Sequence, residues 1–248
     1  MTKPQKKLWV ASILFAAFFG IAPRVGAMHI MEGYLPLGFC VAWGMISLPF
    51  LIKGFFSIQK KLQENRKNIT MLAMSGAFIF VISSLKIPSV TGSCSHMTGT
   101  GLGAILFGPC AVSILGIIVL VFQAVLLAHG GLTSLGANTF SMAIAGPFLS
   151  YGIFWVCKKC RINRRAGVFL AAALGDLFTY CVTSFQLALA YPSKHGGIFA
   201  SVAKFLAVFA PTQIPLAIVE GCLTIVIMIT LENYAQPELK NVGYSKEP

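Results

Sequence analysis

From residue 37 to residue 233, apolar runs of about twenty residues recur with short polar breaks between them. The runs are continuous rather than alternating, which predicts membrane-spanning helices and argues against a β-barrel. Spans are expected at 37–58, 69–87, 110–128, 137–157, 167–191 and 212–233. Two breaks are strongly basic: Lys53, Lys60, Lys61, Arg66 and Lys67 around the first, and Lys158, Lys159, Arg161, Arg164 and Arg165 at the second. Both are expected on the cytoplasmic side. Those two assignments demand an odd number of crossings between them beyond the span at 69–87, and only two long runs are available. The missing crossing is expected at 98–108, ending at Pro109, within the Gly- and Ser-rich stretch "KIPSVTGSCSHMTGTGLG" (86–103). Short, glycine-interrupted segments are tolerated at membrane depth where they line a site or pack on protein. Residues 198–210, ahead of Pro211, are expected as a separate short helix along or partly inside the bilayer. The fold class is an all-α polytopic membrane protein with about seven transmembrane helices, mature N-terminus outside and C-terminus cytoplasmic.

Composition agrees and adds a leader. The chain has 248 residues, 56% hydrophobic and 10% charged, which excludes an ordinary soluble domain. Its +12 charge reads as topology in this setting, not as a nucleic-acid surface. Residues 1–27 have a basic start (Lys3, Lys6, Lys7), an apolar run from Leu8 to Ile21 and the small-residue site Val25-Gly26-Ala27. That is the secretory-signal pattern, with an uncleaved anchor as the alternative. The expected organisation is a cleaved signal peptide at 1–27, a membrane-embedded domain at 28–233 and a polar, flexible cytoplasmic tail at 234–248. The seven cysteines form no disulfide framework, and the isolated pair Cys157 and Cys160 is half a zinc site, read here as structural.

Cleavage after Ala27 would give Met28 a free α-amine on the outer side and make His29 the second residue. The amine, the His29 amide nitrogen and the His29 Nδ1 can then close adjacent five- and six-membered chelate rings in one plane. One more donor completes a square plane, the geometry of nitrogen-ligated Ni(II) or Cu(II). His96, in the outer Gly- and Ser-rich segment, is the best fourth donor. Cys94 is a possible soft ligand, exposed there to oxidation. His129 and His195 each precede a Gly-Gly pair at an outer end of a span, as gate groups or as plain interfacial residues. Asp176 and Glu220 are intramembrane acids, costly unless used; they either orient a ligating histidine or bond helix to helix. Glu32 is placed to hydrogen-bond a loop or a ligand. The sequence has no GxxxxGK[ST] for ATP and no HExxH or GxSxG for hydrolysis. Energy for uphill transport would have to come from a partner or an ion gradient. A membrane metalloenzyme and a passive metal channel are the alternatives from other classes.

These residues carry a family resemblance. "MHIMEGYLP" (28–36), "GSCSHMTGTGLGAILFGP" (92–109), "HGGLTSLGANTFSMAIAGP" (129–147), "GDLFTYCVTSFQLALAYP" (175–192) and "EGCLTI" (220–225) together resemble the CbiM family, the substrate-capture components of energy-coupling-factor cobalt transporters. The resemblance implies capture of Co²⁺ for cobalamin biosynthesis, with no prosthetic group; the related nickel-capture proteins make Ni²⁺ the alternative. It implies a metal site of Met28, His29 and His96. The partners it implies are a transmembrane coupling protein, two cytoplasmic ATP-binding subunits and a small accessory membrane protein, in the lipid bilayer of a bacterial inner membrane and without nucleic acid. The chain departs from the family at Met97, where proline is usual.

Overall fold

In hydrocarbon an apolar segment can satisfy its own backbone by becoming a helix, and helices account for nearly all regular structure among the described residues. The computed structural model of the chain describes residues 29–88 and 94–244, with the backbone alone at Pro88 and Cys94. The leader, Met28 and the Cys94 side chain lie outside the described residues. Helix α1 is Leu37–Glu64 and α2 is Asn68–Ser84. A short antiparallel ladder then pairs β1 (Ile87–Pro88) with β2 (Cys94–Ser95). Helix α3 is Thr100–Phe107 and α4 is Pro109–Leu127. Helix α5 is Leu135–Lys159, with wider π turns at Thr139–Ala145. Helix α6 is Arg164–Ala190, α7 is Gly197–Tyr234 and α8 is Gln236–Asn241.

Helices α1, α4, α5, α6 and α7 are long and apolar enough to cross a membrane, and α2 is a shorter apolar helix. Large apolar side chains such as Leu37, Met45, Phe55, Val125 and Val226 are exposed on their outer faces. Patches of that kind suit lipid, not water.

Helix α3, in the segment expected at 98–108, is set apart: every residue from Thr100 to Phe107 is buried. Its eight residues rise about 12 Å, far short of a hydrocarbon core of about 30 Å. Protein, rather than lipid, must therefore surround it. It packs on α2, α4, α5, α6 and α7, and Leu102, Ile105, Leu106 and Phe107 share a core with Val168, Ala171 and Met228. Gly101 permits the close approach to α6, since a Cβ there would lie 2.9 Å from the Ala172 Cα. The close fit fixes where the loop just before α3 can sit.

Two expectations are corrected. Residues 198–210 are not a separate helix but the first part of α7, which runs through Pro211 and Pro215 without a break. Each proline removes one N–H, from the Ala207 and Pro211 carbonyls in turn, yet membrane helices tolerate such gaps when their surroundings satisfy the freed groups. The tail is also ordered as far as Tyr244. Leu239, Val242 and Tyr244 enter the core, Arg164 Nε donates to the Tyr244 hydroxyl at 2.9 Å, and the Arg164 guanidinium pairs with Glu232 at 3.0 Å. Polar composition hid three apolar side chains spaced along one short helix and its cap.

Candidate metal centre

Three imidazoles converge from the segment before α1, the loop before α3 and the loop after α4. His29, His96 and His129 are all buried, and one nitrogen of each lies within 4.8 Å of the other two. His29 Nδ1 and His96 Nε2 are 2.5 Å apart. His96 Nδ1 donates to the Met97 carbonyl at 2.9 Å. A carbonyl only accepts, so Nδ1 carries the proton and Nε2 turns a lone pair toward His29. His29 Nδ1 therefore donates to His96 Nε2 in a short hydrogen bond. The His129 ring stands edge-on to both, at 65° to His29 and 73° to His96. His29 Nε2 and His129 Nε2 are buried with no hydrogen-bond partner among the described residues. Buried, unpaired polar atoms are costly and mark places that another group completes.

Burial keeps all three rings neutral. It lowers His96 to about 4, with the Met97 carbonyl opposing and the Lys86 charge assisting. It lowers His129 to about 2, assisted by His96 and Lys86, and holds His29 well below 6.5 with help from His96, His129 and Lys86. Neutral imidazole is the form that ligates a metal, so at pH 7 His96 and His129 have no imidazolium proton to lose first.

Two sets of contacts hold the rings. The His29 side is tied to the start of α5. Ile30 N–H donates to Asn138 Oδ1 at 2.8 Å, and Asn138 Nδ2 donates to the Ile30 carbonyl at 3.0 Å. Ser134 Oγ donates to the same carbonyl at 2.5 Å. Glu32 N–H donates to the Gly130 carbonyl at 3.1 Å. The Glu32 carboxylate accepts from Thr133 N–H at 3.2 Å, and hydrogen bonding from Thr133 holds that carboxyl below its ordinary value. The glycines after His129 are needed for this approach: Gly130 has φ +79°, and a Cβ on Gly131 would meet the Glu32 Cα at 2.5 Å.

The His96 side is tied to α6 and α7. Glu220 accepts from Thr98 N–H at 2.7 Å on Oε2 and from Gly99 N–H at 3.0 Å on Oε1. The Thr98 hydroxyl adds a third donor at 3.0 Å. Gln213 Nε2 donates both to the His96 carbonyl at 3.2 Å and to Asp176 Oδ2 at 2.6 Å. Ser95 and Thr212 join their hydroxyls at 2.7 Å.

Of the candidate residues, His29 and His96 meet directly and His129 joins them. Glu32 bonds the 130–134 loop. Asp176 and Glu220 hold the His96 loop from below rather than entering the cluster. His195 does not join: it is exposed between α6 and α7, where its carbonyl accepts from Ser193 Oγ. Its tripeptide matches that of His129, but Gly196 and Gly197 cap a helix and approach no ligand segment. Asn138 and Gln213 escape a reading of the sequence. Each is a carboxamide inside an apolar run, a weaker signal than a charged group but of the same kind. The Met97 side chain packs with Ile82 and Leu216, and its carbonyl, which any residue supplies, makes the bond to His96.

Comparison with known proteins points the same way. Residues 29–239 match the CbiM family, described as a cobalt uptake substrate-specific transmembrane region. A cobalt transport protein CbiM of Lachnoclostridium phytofermentans is 69% identical over 98% of this chain and 97% of its own. That of a Nostoc species is 57% identical over 86% of this chain and 82% of its own. Among solved structures, a transition metal transporter aligns with a TM-score of 0.72 at 28% identity, covering 83% of this chain and 92% of that one. A truncated transition metal transporter aligns with a TM-score of 0.71 at 28% identity, covering 83% of this chain and 99% of the other.

Proposed function

The chain belongs to the CbiM family of cobalt-uptake membrane proteins, and from that premise we propose that it is the capture subunit of an energy-coupling-factor importer, binding Co²⁺ on the outer side of a bacterial cell membrane. It is a transport component and not an enzyme. The site is made of the Met28 amine, the His29 amide nitrogen and Nδ1, and His96 Nε2. The leader is removed after Ala27 to free that amine. Seven crossings, counting α3 as the short one, put the site outside and α8 in the cytoplasm. ATP hydrolysis belongs to two cytoplasmic subunits, acting through a transmembrane coupling protein and accompanied by a small accessory membrane protein.

The observation that carries the reading is the approach of His29 Nδ1 to His96 Nε2 at 2.5 Å. In the chelate the amide nitrogen lies between amine and Nδ1, so the fourth donor stands opposite the amide and beside Nδ1. With metal–nitrogen bonds of about 2.0 Å, neighbouring corners of a square are about 2.8 Å apart and opposite corners about 4.0 Å. The observed separation fits neighbouring corners. Nitrogen donors by themselves favour Ni²⁺ over Co²⁺, so the preference for cobalt rests on the family.

The test is a titration of Co²⁺ and Ni²⁺ into two purified forms, one beginning at Met28 and one with a single Ala before it. The reading expects tight binding only in the first. Equal binding would remove the amine from the site and dissolve the chelate. Tighter binding of Ni²⁺ together with nickel-stimulated uptake would move the protein to the nickel branch of the same architecture.

A further inference from the structure

The square plane leaves one buried imidazole without a task. A donor bonded at about 2.0 Å puts its imidazole centre about 3.1 Å from the metal, so two rings at right angles have centres about 4.4 Å apart. The His29 and His96 centres are 4.4 Å apart in a stacked arrangement, their planes 19° from parallel, a spacing that matches donors at neighbouring corners. The His129 centre is 4.7 Å from His29 and 4.9 Å from His96. The three ring centres therefore form a nearly equilateral triangle around one space, with the His129 ring turned across the other two and slightly more distant.

Other observations separate His129 from an ordinary core histidine. Its Nε2 is buried without a hydrogen-bond partner among the described residues. It is presented by strained backbone: Ala128 takes φ +46°, a left-handed conformation that a residue with a Cβ rarely adopts, and His129 N–H is anchored on the Gln123 carbonyl at 3.1 Å. Gly130 and Gly131 then let the 29–32 segment lie directly against it.

We propose that His129 is an axial donor to the captured ion, standing over the plane set by Met28, His29 and His96, and that this fifth nitrogen favours Co²⁺ over Ni²⁺. The proposal rests on the capture reading above. The chemistry concerns where d electrons sit. Four strong planar nitrogens make Ni(II) a low-spin d⁸ ion that gains little from an axial ligand. Low-spin Co(II) has one electron fewer and gains from a fifth donor along the axis. An axial imidazole thus offsets part of the general advantage of Ni²⁺ at nitrogen sites.

The experiment uses the full protein purified from a host that processes its leader, with the N-terminus read by mass spectrometry. X-ray absorption on the Co²⁺-loaded protein counts imidazoles from their outer-ring scattering, and electron paramagnetic resonance reads axial nitrogen on low-spin cobalt. The expected count is three in the natural protein and two in His129→Gln, with loss of the axial nitrogen splitting. Co²⁺ affinity should fall on the order of tenfold, while Ni²⁺ affinity stays within about threefold. His129→Ala, with metal-free melting recorded alongside, separates a lost ligand from a lost fold. Two imidazoles in the natural protein, or a spectrum unchanged in His129→Gln, overturns the proposal and leaves capture intact. Failure of the natural protein to bind Co²⁺ at all sinks the capture reading and the axial donor together.

Discussion

Glu220 clamps the backbone two and three residues after His96. Its two oxygens accept separate backbone N–H groups, from Thr98 and Gly99. Glu220→Gln keeps the shape but replaces one oxygen with a donor, so one buried N–H faces another N–H. Leaving such a donor unsatisfied costs about 1–3 kcal/mol. Residues that hold a ligating histidine change metal affinity by roughly ten- to a hundredfold. Glu220→Gln is therefore expected to lose at least about tenfold in Co²⁺ affinity, with a lower melting temperature. Asp176→Asn should do less, because an amide oxygen can still accept from Gln213. Calorimetric titration of both variants in detergent tests the ranking; natural affinity in Glu220→Gln would mean that the clamp does not hold His96. At this scale the sequence reveals chemistry and conceals assembly. Buried charge makes Glu220 and Asp176 visible, and the chelate makes His29 and His96 visible. His129 and His195 carry the same tripeptide and are indistinguishable in sequence, because what separates them is which segment lies against the glycines.

Helix α3 links the apolar core to the loop that carries His96. Hydropathy alone would pass over its eight residues; charge parity requires something there, and glycine spacing suggests close packing. What no pattern supplies is its complete burial, which follows from the helices around it. The same limit explains α7. Proline is a sound stop signal in water, and Pro211 carries that signal, but packing against α6 takes the helix through it. The tight fit of α3 yields a prediction for the element. Gly101→Ala would place a methyl 2.9 Å from the Ala172 Cα and 3.1 Å from its Cβ. Overpacking of this kind costs about 1–3 kcal/mol. Because α3 begins four residues after His96, the displaced helix should also weaken metal binding. Ala172→Gly in the same chain removes the methyl neighbour at 3.1 Å and leaves the backbone carbon at 2.9 Å. It should therefore restore part of the melting temperature and not all. Full rescue would show that α3 can shift toward α6 freely, contrary to the close packing at Gly101.

Across the whole molecule, the two chemistries occupy opposite ends. Lys60 and Lys61 near the end of α1, Arg66 and Lys67 before α2, Lys158 and Lys159 at the end of α5, and Arg164 and Arg165 at the start of α6 all lie at the end where α7 finishes beside Arg164. The histidine cluster lies at the other end, where α1 begins, α4 finishes and α5 begins. On the proposed topology the basic end is the cytoplasmic one and the cluster lies outside, where a processed N-terminus would reach it. Exposed Cys160, beside the basic turn, is a natural reporter of this arrangement. A maleimide that cannot cross membranes should modify Cys160 in inverted vesicles and spare it in intact cells, with peptide mapping to separate it from exposed Cys181 and Cys222. Lys194→Cys, in the exposed turn between α6 and α7, should give the reverse pattern. Labelling of Cys160 in intact cells would invert the topology. It would also place the histidines on the cytoplasmic side, where a subunit that captures metal from outside would have no use for them.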